Sequence, residues 1–193
     1  QSNDYRRIEQ FWLDQFKDSV PVLDLPTDFA RPAIRTNKSN RIDTILDKYL
    51  FSDIKAFSNK QGSSLAITLR TVFEILLYKL SGQDDIVLGL PSAGQAITDN
   101  NHLMGHCINL LPIRCRLKDE MTFTQYLKER KFATLDAYDN QQFTFGSLLK
   151  NLNIPRDPSR APLVSVVFSL DQGLGGMNHF EGLECKILSN KRD

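Results

Sequence analysis

Few residues in this chain have both the type and the spacing that chemistry demands. Ser92 sits in LGLPSAGQ (88 to 95), directly after an apolar run, where a nucleophilic serine on a strand-to-helix turn would stand. That turn needs glycine two residues before the serine and a helix after it, whereas Leu90 and Pro91 precede Ser92 and no apolar helical pattern follows. Ser92, Ala93 and Gly94 read instead as a tight turn of small residues past which a substrate can approach the backbone. His102, His106 and Cys107 offer imidazole and thiolate, both good zinc ligands, but Gly105 and the Asn100, Asn101 pair argue against the helix that would align the histidines. No further ligand stands at metal spacing, so no metal is expected. Cys107 reads as a small buried hydrophobe rather than a reactive thiol. GLGG (173 to 176) lacks the helix N-terminus that a phosphate cradle requires and reads as a hairpin loop. Lys128, Arg130 and Lys131, with Glu129 among them, read as the solvated face of a helix.

The elements that must position these residues follow from periodicity and caps. Tyr5, Ile8, Phe11, Trp12 and Phe16 form one apolar stripe on a first helix. Pro21, Pro26 and Pro32 then keep VPVLDLPTDFARP extended as a connector. A short strand is expected from Arg41 to Leu46, then a helix capped by Asp47 with Leu50, Ile54 and Phe57 on one face and Gly62 past its end. Ser63 or Ser64 caps the next helix, whose Leu65, Leu69, Val72, Phe73, Leu76, Leu77 and Leu80 predict a broad buried face before Gly82. Ile86 to Leu88 predict a central strand that Pro91 ends. Ile108 to Leu117 predict a strand with Ile113, Cys115 and Leu117 inward and Arg114 and Arg116 outward.

Thr122 and Gln125 fit a capping box for a long helix carrying Tyr126, Leu127, Leu135 and Tyr138. Thr144 caps a shorter helix, stapled by Phe143 and Leu148. Strands are expected over Leu163 to Leu170 and through Leu183, Cys185 and Ile187. This interleaving predicts an α/β layered domain. With 24 Lys+Arg against 23 Asp+Glu there is no basic excess to release counterions from nucleic acid, and no apolar run is long enough to span a membrane. Three cysteines without CxxC spacing, and an N-terminus without a secretory pattern, point to a cytoplasmic protein with reduced thiols.

Three stretches, MGHCINLLPIR (104 to 114), YDNQQFTFGSLLKNLN (138 to 153) and RDPSRAPLVSVVFSLD (156 to 171), resemble in order and spacing the last three motifs of nonribosomal peptide synthetase condensation domains. The resemblance runs upstream through FWLDQF, LDLPTDFARP and GQDDIVLGLPSAGQ, and so covers nearly the whole chain. It implies a chloramphenicol acetyltransferase-like fold, a sheet with helices packed on it, and the C-terminal half of a two-lobed domain whose tunnel lies between the lobes. On this reading residues 1–36 are the helix and connector and 37–193 the α/β subdomain, and the chain stops before the family's last strands. The resemblance implies an enzyme that joins a carrier-tethered acyl or peptidyl thioester to a carrier-tethered amine, making an amide, in a peptide synthetase or, since GHCINLLPIR resembles variants found there, in a hybrid polyketide-peptide one.

The family's HHxxxDG motif belongs to the other half and does not occur here, so the chain is not expected to be active alone. By resemblance Asn109 faces the tunnel, Arg114 is the charge partner of the absent aspartate, and Ser92, Ala93 and Gly94 line the tunnel. Arg156, Asp157, Ser159 and Arg160, with Tyr138, Asp139 and Phe143, match motifs of structural character. Cys107 and Leu110 depart from the family's phenylalanine and threonine. The implied partners are upstream and downstream carrier proteins with their phosphopantetheine arms, the N-terminal half and neighbouring synthetase domains, with no cofactor bound directly. Alternatives are a related acyltransferase, an epimerisation or heterocyclisation domain, and a non-catalytic carrier-docking module.

Overall fold

The computed structural model describes residues 3–36, 38–94, 105, 107–171 and 183. The chain opens with α1 (Asn3–Asp14), whose apolar stripe puts Ile8 and Trp12 in the core with Phe16 just beyond. The proline-rich connector follows in extended form and inserts Leu23 into the same core. Residues 41 to 46 form no strand: they are coil, with Ile42 89% and Ile45 97% exposed, because no neighbouring strand among the described residues takes up their backbone groups.

Local end signals place α2 (Lys48–Lys60) and α3 (Leu65–Ser81). The Asp47 carboxylate accepts from the Tyr49 and Leu50 amides, and the Ser64 hydroxyl from the Ile67 amide. Gly82, at φ 68°, closes α3 in the left-handed region that glycine enters without strain. The burial of α3 departs from the expected face. Val72, Leu76 and Leu80 are half exposed, whereas Thr68, Arg70, Thr71, Glu74 and Leu77 point inward.

β1 (Asp85–Ala93) and β2 (Ile108–Arg116) pair antiparallel from Asp85 opposite Arg116 to Ala93 opposite Ile108. β3 (Val166–Val167) joins β1 in parallel, giving the order β2-β1-β3. Pro91 does not end β1. Gly89 turns its carbonyl toward β3, where it accepts from the Phe168 amide; two residues on, Pro91 faces the same side after β3 has ended, so its missing N–H breaks no ladder bond. β3 is far shorter than Leu163 to Leu170, since Leu163 at φ 62° turns the chain and pairing is confined to two residues. Gly89 is fixed by packing: a Cβ there would lie 2.7 Å from Val164 Cγ1 and 3.0 Å from Leu110 Cδ1.

α4 (Phe123–Asp139) starts at a capping box in which the Thr122 hydroxyl takes the Gln125 amide and the Gln125 side chain takes the Thr122 amide. It packs on α3 and β2, burying Tyr126 and Leu127 but leaving Leu135 and Tyr138 largely exposed. α5 (Phe145–Asn151) is capped by Thr144, with Phe143 and Leu148 both buried as the staple requires. The result is an α/β layered structure. Among the described residues no helix is long and apolar enough to cross a membrane. GLGG, Cys185, Ile187, His102 and His106 lie outside the described residues, and of the final expected strand only Leu183 is described.

Candidate functional site

Two of the sequence stretches meet where the paired ends of β1 and β2 reach the turn between α4 and α5. Ser92 and Asn109 are register partners, so their side chains share one face of the sheet. Asn109 Nδ2 donates to the carbonyls of Gln141 (2.8 Å) and Phe143 (3.1 Å), and its Oδ1 accepts from the amides of Leu110 (2.9 Å) and Phe145 (3.1 Å). Both amide hydrogens and both lone-pair directions are thereby used. Ser92 Oγ donates to Gln141 Oε1, so the same turn is held from both strands.

From the other side Trp12 Nε1 donates to the Asn140 carbonyl at 2.8 Å and Arg7 to Asn140 Oδ1, while Phe143 packs edge-on against Tyr5. The turn is a junction of α1, β1, β2, α4 and α5. Gly94 sits against Cys107: its amide donates to the Cys107 carbonyl at 2.6 Å, and a Cβ would collide with that oxygen. Its smallness is thus already taken up by the neighbouring backbone. Cys107 itself is half-buried.

Beside this junction lies a cleft of about 340 Å³, walled by the first turn of α3, the end of β1, the end of α4 and the segment after β3. Ser92, Ala93 and Tyr138 line it, together with Arg70. A second groove of about 460 Å³ runs between the connector and residues 154 to 165. Its walls are prolines and aliphatic side chains, with Arg156, Asp157 and Arg160 at the edge. There Asp157 Oδ1 accepts from the Ser159 amide and hydroxyl, which together with Arg160 hold its carboxyl below the usual range. Arg160 donates to the Leu23 carbonyl and to Asp24, pinning the connector.

Arg114 is not brought to this junction. It lies five register positions from Asn109, about 17 Å along the strand at 3.4 Å per residue, and at the opposite end of the pair. Rather than facing outward, its guanidinium is buried and satisfied within the chain: Nε and Nη2 grip Asp85 at 2.8 and 2.5 Å, and Nη1 reaches Asp18 at 2.9 Å and the Gln15 and Ser19 carbonyls. Desolvation opposes ionisation of Asp18, yet a backbone N–H with Arg114 and Arg116 outweighs it and holds the carboxyl at about 2. Arg130 also departs from the solvated face expected of it. It is buried, with Nε 3.2 Å from Glu74 Oε2 and Nη2 donating to the Arg114 carbonyl.

Glu74 is fully buried and also takes Arg70 Nε at 2.9 Å and the Tyr126 hydroxyl at 2.9 Å. Burial pushes the Tyr126 phenol and the Cys115 thiol up, and the Glu74 charge adds to both. Neither periodicity nor motif spacing singles out Arg70, Glu74, Gly89 or Gln141 in the sequence. Two polar residues at i and i+4 inside an otherwise apolar helix were the available signal for Arg70 and Glu74.

A family model for the condensation domain matches residues 1–185. Surfactin synthase subunit 2 of Bacillus subtilis (strain 168) is 36% identical over 170 residues, which is 88% of this chain and 5% of that protein. The fold is similar to that of a four-domain holo nonribosomal peptide synthetase bound to AMP and glycine, at TM-score 0.82 and 20% identity, over 90% of this chain and 13% of that one. It is also similar to the X-domain in the complex of X-domain and OxyB from teicoplanin biosynthesis, at TM-score 0.73 and 22% identity, over 84% of this chain and 36% of that one. The chain thus spans a small part of the length of the relatives it matches. A match over residues 1–185 together with this fold means that the chain belongs to the condensation-domain family.

Proposed function

We propose that this chain is one wall of a condensation domain that forms an amide between an acyl or peptidyl group on one carrier protein and an aminoacyl group on another. The match of residues 1–185 to the condensation domain carries this reading. In the reaction the acceptor amine attacks the donor thioester carbonyl, the C–N bond forms, the C–S bond breaks, and the departing thiolate takes up the proton that the amine gives away. No paired histidine occurs in this sequence, so the HHxxxDG group that handles or orients that amine is assigned to another segment.

The residues here bind and position. Ser92 and Ala93 present small side chains to the cleft, Asn109 and Gly94 hold the strand ends behind them, and Arg114 braces the far end of the strand pair. Asp157, Ser159 and Arg160 keep the connector in place with Arg156 beside them in the groove wall, Tyr138 and Asp139 end α4 at the cleft, and Phe143 belongs to the turn that follows. The phosphopantetheine arms belong to the substrates, carried by upstream and downstream carriers in a cytoplasmic synthetase. Residues 1–36 serve as helix and connector and 37–193 as the subdomain.

The test joins this chain to an upstream half bearing HHxxxDG and supplies an acyl-loaded donor carrier and an aminoacyl-loaded acceptor carrier. Mass spectrometry of the acceptor is expected to show the acylated amine only with both halves present. Amide formation by the 193 residues alone would overturn the division of roles. A second reading, a docking module without chemistry, draws support from the likeness to an X-domain in complex with another protein. Carrier binding by the joined halves without turnover would favour it.

A further inference from the structure

Arg70 and Arg130 share a single carboxylate, Glu74, in the interior between α3 and α4. The other titratable groups against Glu74, Tyr126 and Cys115, are driven by burial toward their neutral forms. The buried group therefore carries one net positive charge, costly in the interior unless an anion lies near. Arg70 is only 1% exposed. Its Nε donates to Glu74, and its Nη2 donates to the Arg130 carbonyl and the Thr134 hydroxyl. Nη1 makes none of these bonds and has no hydrogen-bond partner among the described residues, and Arg70 borders the cleft of about 340 Å³.

The first turn of α3 borders the same cleft through Ser64, Ala66 and Ile67. Ser64 satisfies the Ile67 amide, while the amides of Leu65 and Ala66 have no acceptor within the helix, and the N-terminus of a 17-residue helix favours negative charge. Arg70, which borders the cleft with Nη1 uncommitted among the described residues, and the helix amides at the wall ask for the same group. Asp171 also borders the cleft; it is exposed and accepts from Ser169 Oγ. Its charge weighs against a dianion while leaving a singly charged carboxylate acceptable.

We propose that the cleft receives the carboxylate of a small acidic substrate between Arg70 Nη1 and the first turn of α3. This rests on the cleft being a substrate wall and narrows that reading to substrates with a carboxylate outside the bond being formed.

Thermal unfolding of the chain, followed by circular dichroism at fixed ionic strength, tests it with propionate, propionamide and inorganic phosphate as probes. Propionate at about ten times its dissociation constant is expected to raise Tm by roughly 3–6 °C, and the other two by less than about 1 °C. Arg70→Met and Ala66→Asp should each remove the rise. An aspartate in the first turn favours the helix, so Ala66→Asp decides the matter even where Arg70→Met fails to fold. Equal rises with propionate and propionamide, a rise with phosphate as large as that with propionate, or an undiminished rise in Ala66→Asp would overturn the proposal. No bond is made in this experiment, so its failure leaves amide formation standing, and failure of amide formation leaves the carboxylate site standing.

Discussion

Asn109 spends its entire hydrogen-bonding capacity inside the chain, on two carbonyls of the turn before α5 and on the amides of Leu110 in β2 and Phe145 at the start of α5. It cannot offer its amide to a substrate without giving up one of these bonds, so on the proposed function Asn109 positions the cleft rather than binding in it. Asn109→Leu leaves the Gln141 and Phe143 carbonyls and the Leu110 and Phe145 amides without these partners at a half-buried site, at a cost of about 2–3 kcal/mol. Urea unfolding should show a lower midpoint with an unchanged slope. Ser92→Ala removes one bond beside the open cleft, where water can replace it, and should cost no more than about 1 kcal/mol. Equal effects from the two substitutions would mean that the turn is held by Trp12 and Phe143 instead.

At the scale of the element, α3 and α4 are joined by a buried ion pair that runs against the usual pattern of an apolar seam. Glu74→Gln removes the carboxylate that pairs with both Arg70 and Arg130 and should cost about 3–5 kcal/mol, because it strands two buried cations. Replacing all three together, Arg70→Met, Glu74→Leu and Arg130→Met, should lie within about 1 kcal/mol of the wild type, since the desolvation costs vanish with the attraction. Chemical denaturation distinguishes the two, and a triple variant as unstable as the single one would refute the account. The same ion pair marks where sequence reasoning stops. Asp47, Ser64, Gly82, Thr122 and the Phe143, Leu148 staple were legible because a cap acts within three or four residues. The inward face of α3 was not, because Glu74 goes inside to meet Arg130, 56 positions away, and no local pattern records that partner. The missing strand at 41 to 46 has the same origin: alternation supplies a face but no neighbour. Within the site the small residues at 92 to 94 and Asn109 were visible as types and positions, whereas Gln141, which ties Ser92 and Asn109 to one turn, needed the register of β1 on β2.

At the scale of the whole molecule, the inward turn of Arg70 and Glu74 displaces leucines outward. Val72, Leu76 and Leu80, four residues apart on α3, are 50%, 47% and 51% exposed. Phe29, Ile34, Ile42 and Ile45 are more exposed still. Scattered apolar residues are ordinary on a protein surface, but three exposed apolar side chains in line on one helix face form a surface suited to being covered. A chain that serves as one wall of a larger domain would carry such a surface. Isolated, the chain should self-associate, with an apparent mass that rises above 22.0 kDa as concentration increases. The double variant Val72→Lys, Leu76→Glu should lower that mass toward the monomer while moving Tm by no more than about 2 °C, since neither side chain fills the core. Multi-angle light scattering over a concentration series checks both parts. A wild-type chain that stays at 22.0 kDa throughout would show that these faces need no cover, and a double variant that unfolds would show that the stripe is core after all.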